Sequence, residues 1–248
     1  MELPVTILND GKELFGVYHT CSKPKATVII CHGLGGTRTD VHRICLRFAR
    51  ALVQNGYSCL RIDLTGSGIS QGEFYEFTIS QSVKDIDQSI RYVQQNFGAD
   101  QIHLLGFSDG AFIAYQVALQ QSYIKGLIFW SPTFKIASED TPRDSLNQRL
   151  HRVGSRMVWP VLGHWVHHEY FQERNGILKE LNFGKLDRDC LFIYGGKDEE
   201  VARGIRQIDH FKISKVEIAE CDHHFLSNEW TEQVIASSIS WLESKYIL

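Results

Sequence analysis

Residues 102–110 read Ile102-His103-Leu104-Leu105-Gly106-Phe107-Ser108-Asp109-Gly110 and run directly into Ala111-Phe112-Ile113-Ala114-Tyr115. The first six suit a buried strand, and Ala111, Ala114, Tyr115, Ala118 and Leu119 recur at helical spacing. A serine at such a junction, with glycines two before and two after it, is the pattern of a sharp turn that holds a nucleophilic hydroxyl clear of the backbone. Gly106 and Gly110 supply the missing side chains around Ser108. A glycine-serine-glycine turn also occurs for purely structural reasons, so the motif gains weight only from its partners.

Outward from this turn, extended and helical patterns alternate. Residues 5–8 and 15–18 flank Asn9-Asp10-Gly11, a turn that tolerates positive φ, and predict an entry hairpin. Residues 27–31 and 57–62 read as strands, separated by a helical stripe of Val41, Ile44, Cys45, Phe48, Leu52 and Val53 that stops at Asn55-Gly56. A second stripe, Val83, Ile86, Ile90, Val93 and Phe97, precedes the serine strand. Residues 126–130, 190–194 and 216–219 predict later strands, and a closing helix starts near Glu229. This order predicts an α/β fold: one domain over 1–248, with a mostly parallel central sheet flanked by helices and its chemistry at the carboxyl ends of the strands.

Composition narrows the partners. With 26 basic against 29 acidic side chains in 248 residues, no electrostatic case arises for nucleic acid or an anionic membrane, and a small molecule is expected. Met1-Glu2-Leu3-Pro4-Val5 carries neither a basic nor an apolar leader pattern, so a cytoplasmic location is expected. The six cysteines lack metal-type pair spacing and read as free thiols. Oligomeric state is left open.

Strand ends supply the remaining candidates. His32-Gly33-Leu34-Gly35-Gly36-Thr37 follows the third strand, and without a Gly-Lys-Ser/Thr ending it is no phosphate loop. The backbone amides of Leu34 and Asp109 are the expected oxyanion donors. Gly195-Gly196-Lys197-Asp198 and Glu220-Cys221-Asp222-His223-His224-Phe225 follow the last two strands, so the chain order is Ser, Asp, His. In this reading Ser108 is the nucleophile, a histidine of the 223–224 pair the base, and Asp198 the acid that fixes its tautomer, with Glu199 or Glu200 as substitutes.

These features, together with Asp63-Leu64-Thr65-Gly66-Ser67-Gly68-Ile69-Ser70-Gln71-Gly72-Glu73-Phe74, resemble the α/β-hydrolase superfamily. Within it the chain is most similar to bacterial cinnamoyl/feruloyl-esterase-like and serine-aminopeptidase-like hydrolases. The resemblance spans roughly residues 5–132 and 186–248 and implies an α/β-hydrolase fold without cofactor. Overlaying the family's Asp-His-x-Phe on Asp222-His223-His224-Phe225 implies His223 as the base. The expected activity is hydrolysis of carboxylic esters with small to medium apolar or aryl acyl groups. Acyl-thioesterase, acyltransferase or peptidase chemistry would use the same triad, and a non-catalytic binding protein is the contrasting class. Phe107 and Asp109 stand where the family often has His and Gln, and a carboxylate at 109 is expected to raise the histidine pKa and to oppose negative charge in the site.

Residues 133–186 do not follow the sheet pattern and read as an inserted cap. Its aromatics, Trp159 and Trp165 foremost, with Tyr170 and Phe171, are expected either to wall an acyl pocket or to pack the cap onto the core. His164, His167 and His168 have helix-compatible spacing, but no Glu lies between them in a metalloprotease pattern and no metal is assigned.

Overall fold

The computed structural model describes residues 1–134, 150–208, 210 and 212–246. Part of the expected cap, 135–149, lies outside the described residues. The amino-terminal hairpin pairs β1 (Glu2–Asn9) with β2 (Lys12–His19) across Asp10 and Gly11, both at positive φ. Then come β3 (Thr27–Cys31), α1 (Ile44–Gln54), β4 (Ser58–Ile62), α2 (Ile79–Phe97) and β5 (Ile102–Phe107). They are followed by α3 (Gly110–Gln120) and β6 (Ile124–Trp130). After the insertion the chain returns as β10 (Asp189–Gly195), α5 (Glu199–Gln207), β11 (Ile213–Ile218) and α6 (Asn228–Glu243).

These strands form one eight-stranded sheet in the order β1-β2-β4-β3-β5-β6-β10-β11. β2 runs antiparallel to β1 and β4, and every pairing from β4 to β11 is parallel. Alternation along the strands divides the core in two. Val28, Ile30, Leu105, Phe107, Ile128 and Trp130 pack with α1 and α6 on one face. Ile29, Cys31, Leu104, Leu127 and Phe129 pack with α2, α3 and α5 on the other. β3, β4 and β5 are buried along their whole length, and burial on both faces explains why β3 reads as a continuous apolar run rather than an alternating one.

The described part of the insertion is not purely helical. It contains β7 (His151–Val153), β8 (Arg156–Val161) and β9 (His164–His167) as a separate antiparallel sheet, then α4 (His168–Glu180). The helix-compatible spacing of His164, His167 and His168 therefore misleads: the first two lie on β9 and only the third opens α4. Glu173 of α4 accepts the amides of Ile79 and Ser80, the first donors of α2.

The turn after β5 leaves no room for side chains at its two glycines. Ser108 has φ 52°, the left-handed region that costs a non-glycine residue about 1–3 kcal/mol. A Cβ on Gly110 would sit 2.0 Å from the Cys31 carbonyl oxygen, and one on Gly106 would sit 2.5 Å from Ala111 Cα. Both neighbours are backbone and cannot rotate away. Gly110→Ala is therefore expected to destabilise by about 3 kcal/mol or more, against about 1 kcal/mol for Gly98→Ala, whose site has positive φ but open space. Urea unfolding followed by tryptophan fluorescence measures both; equal midpoints would contradict the steric origin.

His103 lies on the same strand, buried, with Tyr246 Oη 2.8 Å from its Nε2 and, among the described residues, no hydrogen-bond partner at Nδ1. Burial, then Lys245 and Lys125, push its pKa down to about 4. As pH falls, the unfolded chain takes up this proton near 6.5 while the folded one resists, so the associated stability is present above 6.5 and lost toward 4. His103→Gln is expected to flatten the fall in unfolding free energy between pH 7 and 4.5 by up to about 3 kcal/mol, read from urea curves at the two pH values.

Candidate active site

The carboxyl ends of β3, β5, β6, β10 and β11 meet on one edge of the sheet. Ser108 is held there by its amide, which donates to the Trp130 carbonyl at 2.8 Å. Beyond β10, backbone contact again sets the geometry. Cβ atoms on Gly195 and Gly196 would lie 2.2 and 2.3 Å from the carbonyl oxygens of Cys221 and Ala219. The loop carrying Asp198 is thereby pressed against the loop carrying His223, and the Lys197 amide donates to Cys221 O at 3.0 Å. Asp222 shapes the histidine loop by accepting the amides of His224 at 2.8 Å and Leu226 at 3.3 Å.

The structure brings Ser108, His223 and Asp198 into one chain of hydrogen bonds. Ser108 Oγ lies 2.9 Å from His223 Nε2, and His223 Nδ1 bonds to Asp198 Oδ2. An Nδ1–H donated to the carboxylate leaves Nε2 as acceptor for the serine proton, the tautomer that base catalysis needs. Asp198 bonds to the imidazole, and Glu199 and Glu200 follow it as the first residues of α5. His224 does not bond to Ser108. Its carbonyl accepts from His42 Nε2 at 2.8 Å, its ring stands edge-on to His223 at 4.9 Å, and burial, then His223, lower its pKa.

The glycine-rich loop passes beside the serine. A Cβ on Gly33 would lie 3.1 Å from Ser108 Cβ and 3.5 Å from Asp109 N, so the segment leading to Leu34 runs alongside the elbow amide. His32 anchors it: Nδ1–H donates to Gly33 O at 2.9 Å, and Nε2 accepts the Leu64 amide at 3.1 Å. Asp63 organises the following turn by accepting the amides of Arg38 at 2.7 Å and Ile69 at 3.1 Å and bonding the Arg38 guanidinium. Among nearby thiols, burial drives Cys31 far above the usual range and Cys221 up to about 12, so neither competes as a nucleophile at neutral pH.

Two expectations change. The Asp109 carboxylate makes no hydrogen bond to His223 among the described residues; it accepts from Thr133 Oγ1 and Tyr170 Oη and faces Arg174 Nε at 3.7 Å. Among the described residues, Trp159 and Trp165 are not in the lining of the space beside His223. A cavity of about 300 Å³ there is bounded by Thr133, Arg174, Asp198, Glu200, Val201 and His223. Trp159 Nε1 instead donates to His168 Nδ1 at 3.1 Å, and Trp165 lies against His151 in a tilted ring contact, centroids 4.9 Å apart, and is 43% exposed. Thr133 follows Ser131-Pro132 at the end of β6, so the strand-end rule pointed to it; Arg174, in mid-helix, carries no local signal. His164 stacks on Phe74 at 4.0 Å and His167 pairs with Glu169 at 3.3 Å; among the described residues no three His, Cys, Asp or Glu side chains gather for a metal.

A parallel sheet in this strand order, with a serine in a strained strand-to-helix turn, defines an α/β hydrolase. The family model described as serine aminopeptidase, S33 matches residues 22–175, and the chain belongs to that family of hydrolases. The match includes Ser108 and ends before Asp198 and His223. Among solved structures, Est1E of Butyrivibrio proteoclasticus, determined with bound ferulic acid, is 19% identical with TM-score 0.76, covering 97% of this chain and 98% of that one. A dienelactone hydrolase of Anabaena variabilis is 16% identical with TM-score 0.71, covering 98% and 97%. An uncharacterized protein of Rickettsia prowazekii is 39% identical over 84 residues, and the matched stretch spans 34% of each chain. Among the described residues no helix is long and apolar enough to cross a membrane.

The geometry makes a direct chemical prediction. An alkyl fluorophosphonate is expected to label Ser108 alone; His223→Ala should abolish labelling and His224→Ala should leave it largely intact. Intact-mass and peptide mass spectrometry read the outcome, and loss of labelling in His224→Ala with retention in His223→Ala would move the base by one residue.

Proposed function

We propose that the protein is a serine carboxylic-ester hydrolase acting on small to medium acyl groups, aryl ones included. The observation that carries this reading is the Ser108–His223–Asp198 hydrogen-bond chain at the carboxyl edge of the sheet. Ser108 attacks the ester carbonyl as His223 takes its proton, and the amides of Leu34 and Asp109 hold the developing oxyanion. The first turn of α3 points its positive dipole end at the same place. His223 then gives the proton to the departing alcohol, and a water activated by the same imidazole releases the acid from the acyl-enzyme. Asp198 keeps the imidazole in the reactive tautomer and stabilises its charged form.

The core treats all acyl carbonyls alike, so selectivity belongs to the surrounding walls. The insertion serves as a cap, and the cavity of about 300 Å³ is at the small end of ligand sites, which supports compact acyl groups. Its walls include the methyls of Val201 and Thr133, so acyl choice is assigned to these two rather than to Trp159 and Trp165. Likeness to Est1E, a protein seen with ferulic acid, agrees with an aryl acyl group. A small-molecule ester is the expected partner, in a cytoplasmic setting.

Hydrolysis of p-nitrophenyl esters of increasing chain length, a methyl cinnamate, an acyl-thioester and an aminoacyl anilide tests this reading. Esters should exceed the anilide by orders of magnitude. Ser108→Ala should lose several powers of ten in kcat and Asp198→Asn about 10⁴-fold. Val201→Ala should change the chain-length ratio several-fold, because an apolar contact discriminates by about 1–3 kcal/mol, while Trp165→Ala should not. An anilide preference, or turnover surviving Ser108→Ala, would overturn the proposal.

A further inference from the structure

Asp109 enters the proposed mechanism only through its amide, yet its side chain is engaged by three residues. It does not cap α3. It accepts the hydroxyls of Thr133 and Tyr170 and faces Arg174 Nε at 3.7 Å. Tyr170 is 1% exposed, and burial, then Asp109, hold its phenol well above the ordinary range, so it remains a donor. Two neutral hydroxyls solvate a carboxylate without cancelling its charge. Arg174 is the full positive charge in this set, and it is fixed on three sides: Nη2 donates to Thr133 O at 3.3 Å, the guanidinium covers the Phe112 ring at 5.2 Å, and Nε faces Asp109. Such a charge, one-fifth exposed beside a cavity, is weakly screened.

A carboxylate on the residue whose amide must hold an oxyanion sets two negative charges close together in the transition state, which Coulomb repulsion opposes. The ground state, with a neutral carbonyl, feels far less of this. Compensation of Asp109 therefore acts on the chemical step rather than on substrate binding. We propose that Arg174, from the inserted helix α4, is a positioning residue for the Ser108 reaction: by neutralising and orienting Asp109 it lets the residue-109 amide serve as an oxyanion donor. The inference rests on the serine-esterase reading and adds that the site is electrostatically complete only with α4 docked.

The test is steady-state hydrolysis of p-nitrophenyl butyrate, a neutral ester, by wild type, R174Q, R174K and D109N/R174Q, with phosphonate titration of Ser108 giving active-site concentrations. R174Q is expected to lose about 10- to 100-fold in kcat with KM within about threefold. R174K, which keeps the charge, should retain at least about a third of the wild-type kcat, and D109N/R174Q should exceed R174Q by about fivefold or more. A purely structural tether predicts the reverse for the double variant, which loses both partners. The inference is overturned if R174Q matches wild type, if R174K and R174Q are equally impaired, if the double variant is no faster than R174Q, or if the loss is confined to KM. Should near-UV circular dichroism show R174Q unfolded, the double variant decides alone, and a kcat more than about tenfold below wild type overturns the proposal. A wild type that neither labels nor hydrolyses the ester refutes the esterase reading itself; an active, labelled wild type with an unaffected R174Q refutes only the role of Arg174.

Discussion

The contact between the start of α3 and the end of β3 governs the rest of the structure. With no side chain at Gly110, the helix backbone can approach the Cys31 carbonyl, where a Cβ would be 2.0 Å away. That approach bends β5 into α3 so sharply that Ser108 takes a left-handed conformation, and it also fixes where the chain leaves β3 into the His32-Gly33-Leu34 loop. Nucleophile and neighbouring amides are thus located by one backbone packing event. The strain at Ser108 is offset by its amide bond to Trp130 O and by the burial of nearly all of α3.

The same device recurs across the sheet. Gly195 and Gly196 lie against the carbonyls of Cys221 and Ala219, so the loops bearing Asp198 and His223 touch through main chain rather than through side-chain packing. Main-chain contacts are stiff, and a histidine poised between a carboxylate and a hydroxyl needs stiff supports, because misplacement by about 1 Å can cost about 10²-fold in rate. The two glycine-bearing turns differ in what they carry, yet each brings loops from separate strands within hydrogen-bonding reach.

Legibility in the sequence followed this division between local and non-local causes. The central strands, their helices and the order Ser, Asp, His could be read because burial on both faces and helical periodicity are written into adjacent residues. The three strands of the insertion are not legible in this way. They are short, Pro160 interrupts the middle one, and the His164 and His168 spacing imitates a helix turn. Gly154-Ser155 and Leu162-Gly163, between short β-compatible runs, were the available hairpin signals, and Gly154, Leu162 and Gly163 do have positive φ. The surroundings of Asp109 were beyond reach: Thr133, Tyr170 and Arg174 are 24, 61 and 65 positions away, and nothing near Asp109 announces them. Its carboxylate therefore read as a disturbance to the histidine, whereas the fold commits it to the insertion.

Glu173 gives the insertion a second meaning. Its carboxylate closes the amino end of α2, a helix formed 94 residues earlier in the chain, in addition to the Thr78 hydroxyl that caps Gln81. Core and insertion are consequently not interchangeable parts. A chimera that grafted another hydrolase's insertion between β6 and β10 would leave two backbone donors at the head of α2 without their acceptor unless the newcomer brought an acid to the same spot. Variation in this segment is thus constrained from behind, by a helix end in the core, as well as from the front, by whatever the site must admit.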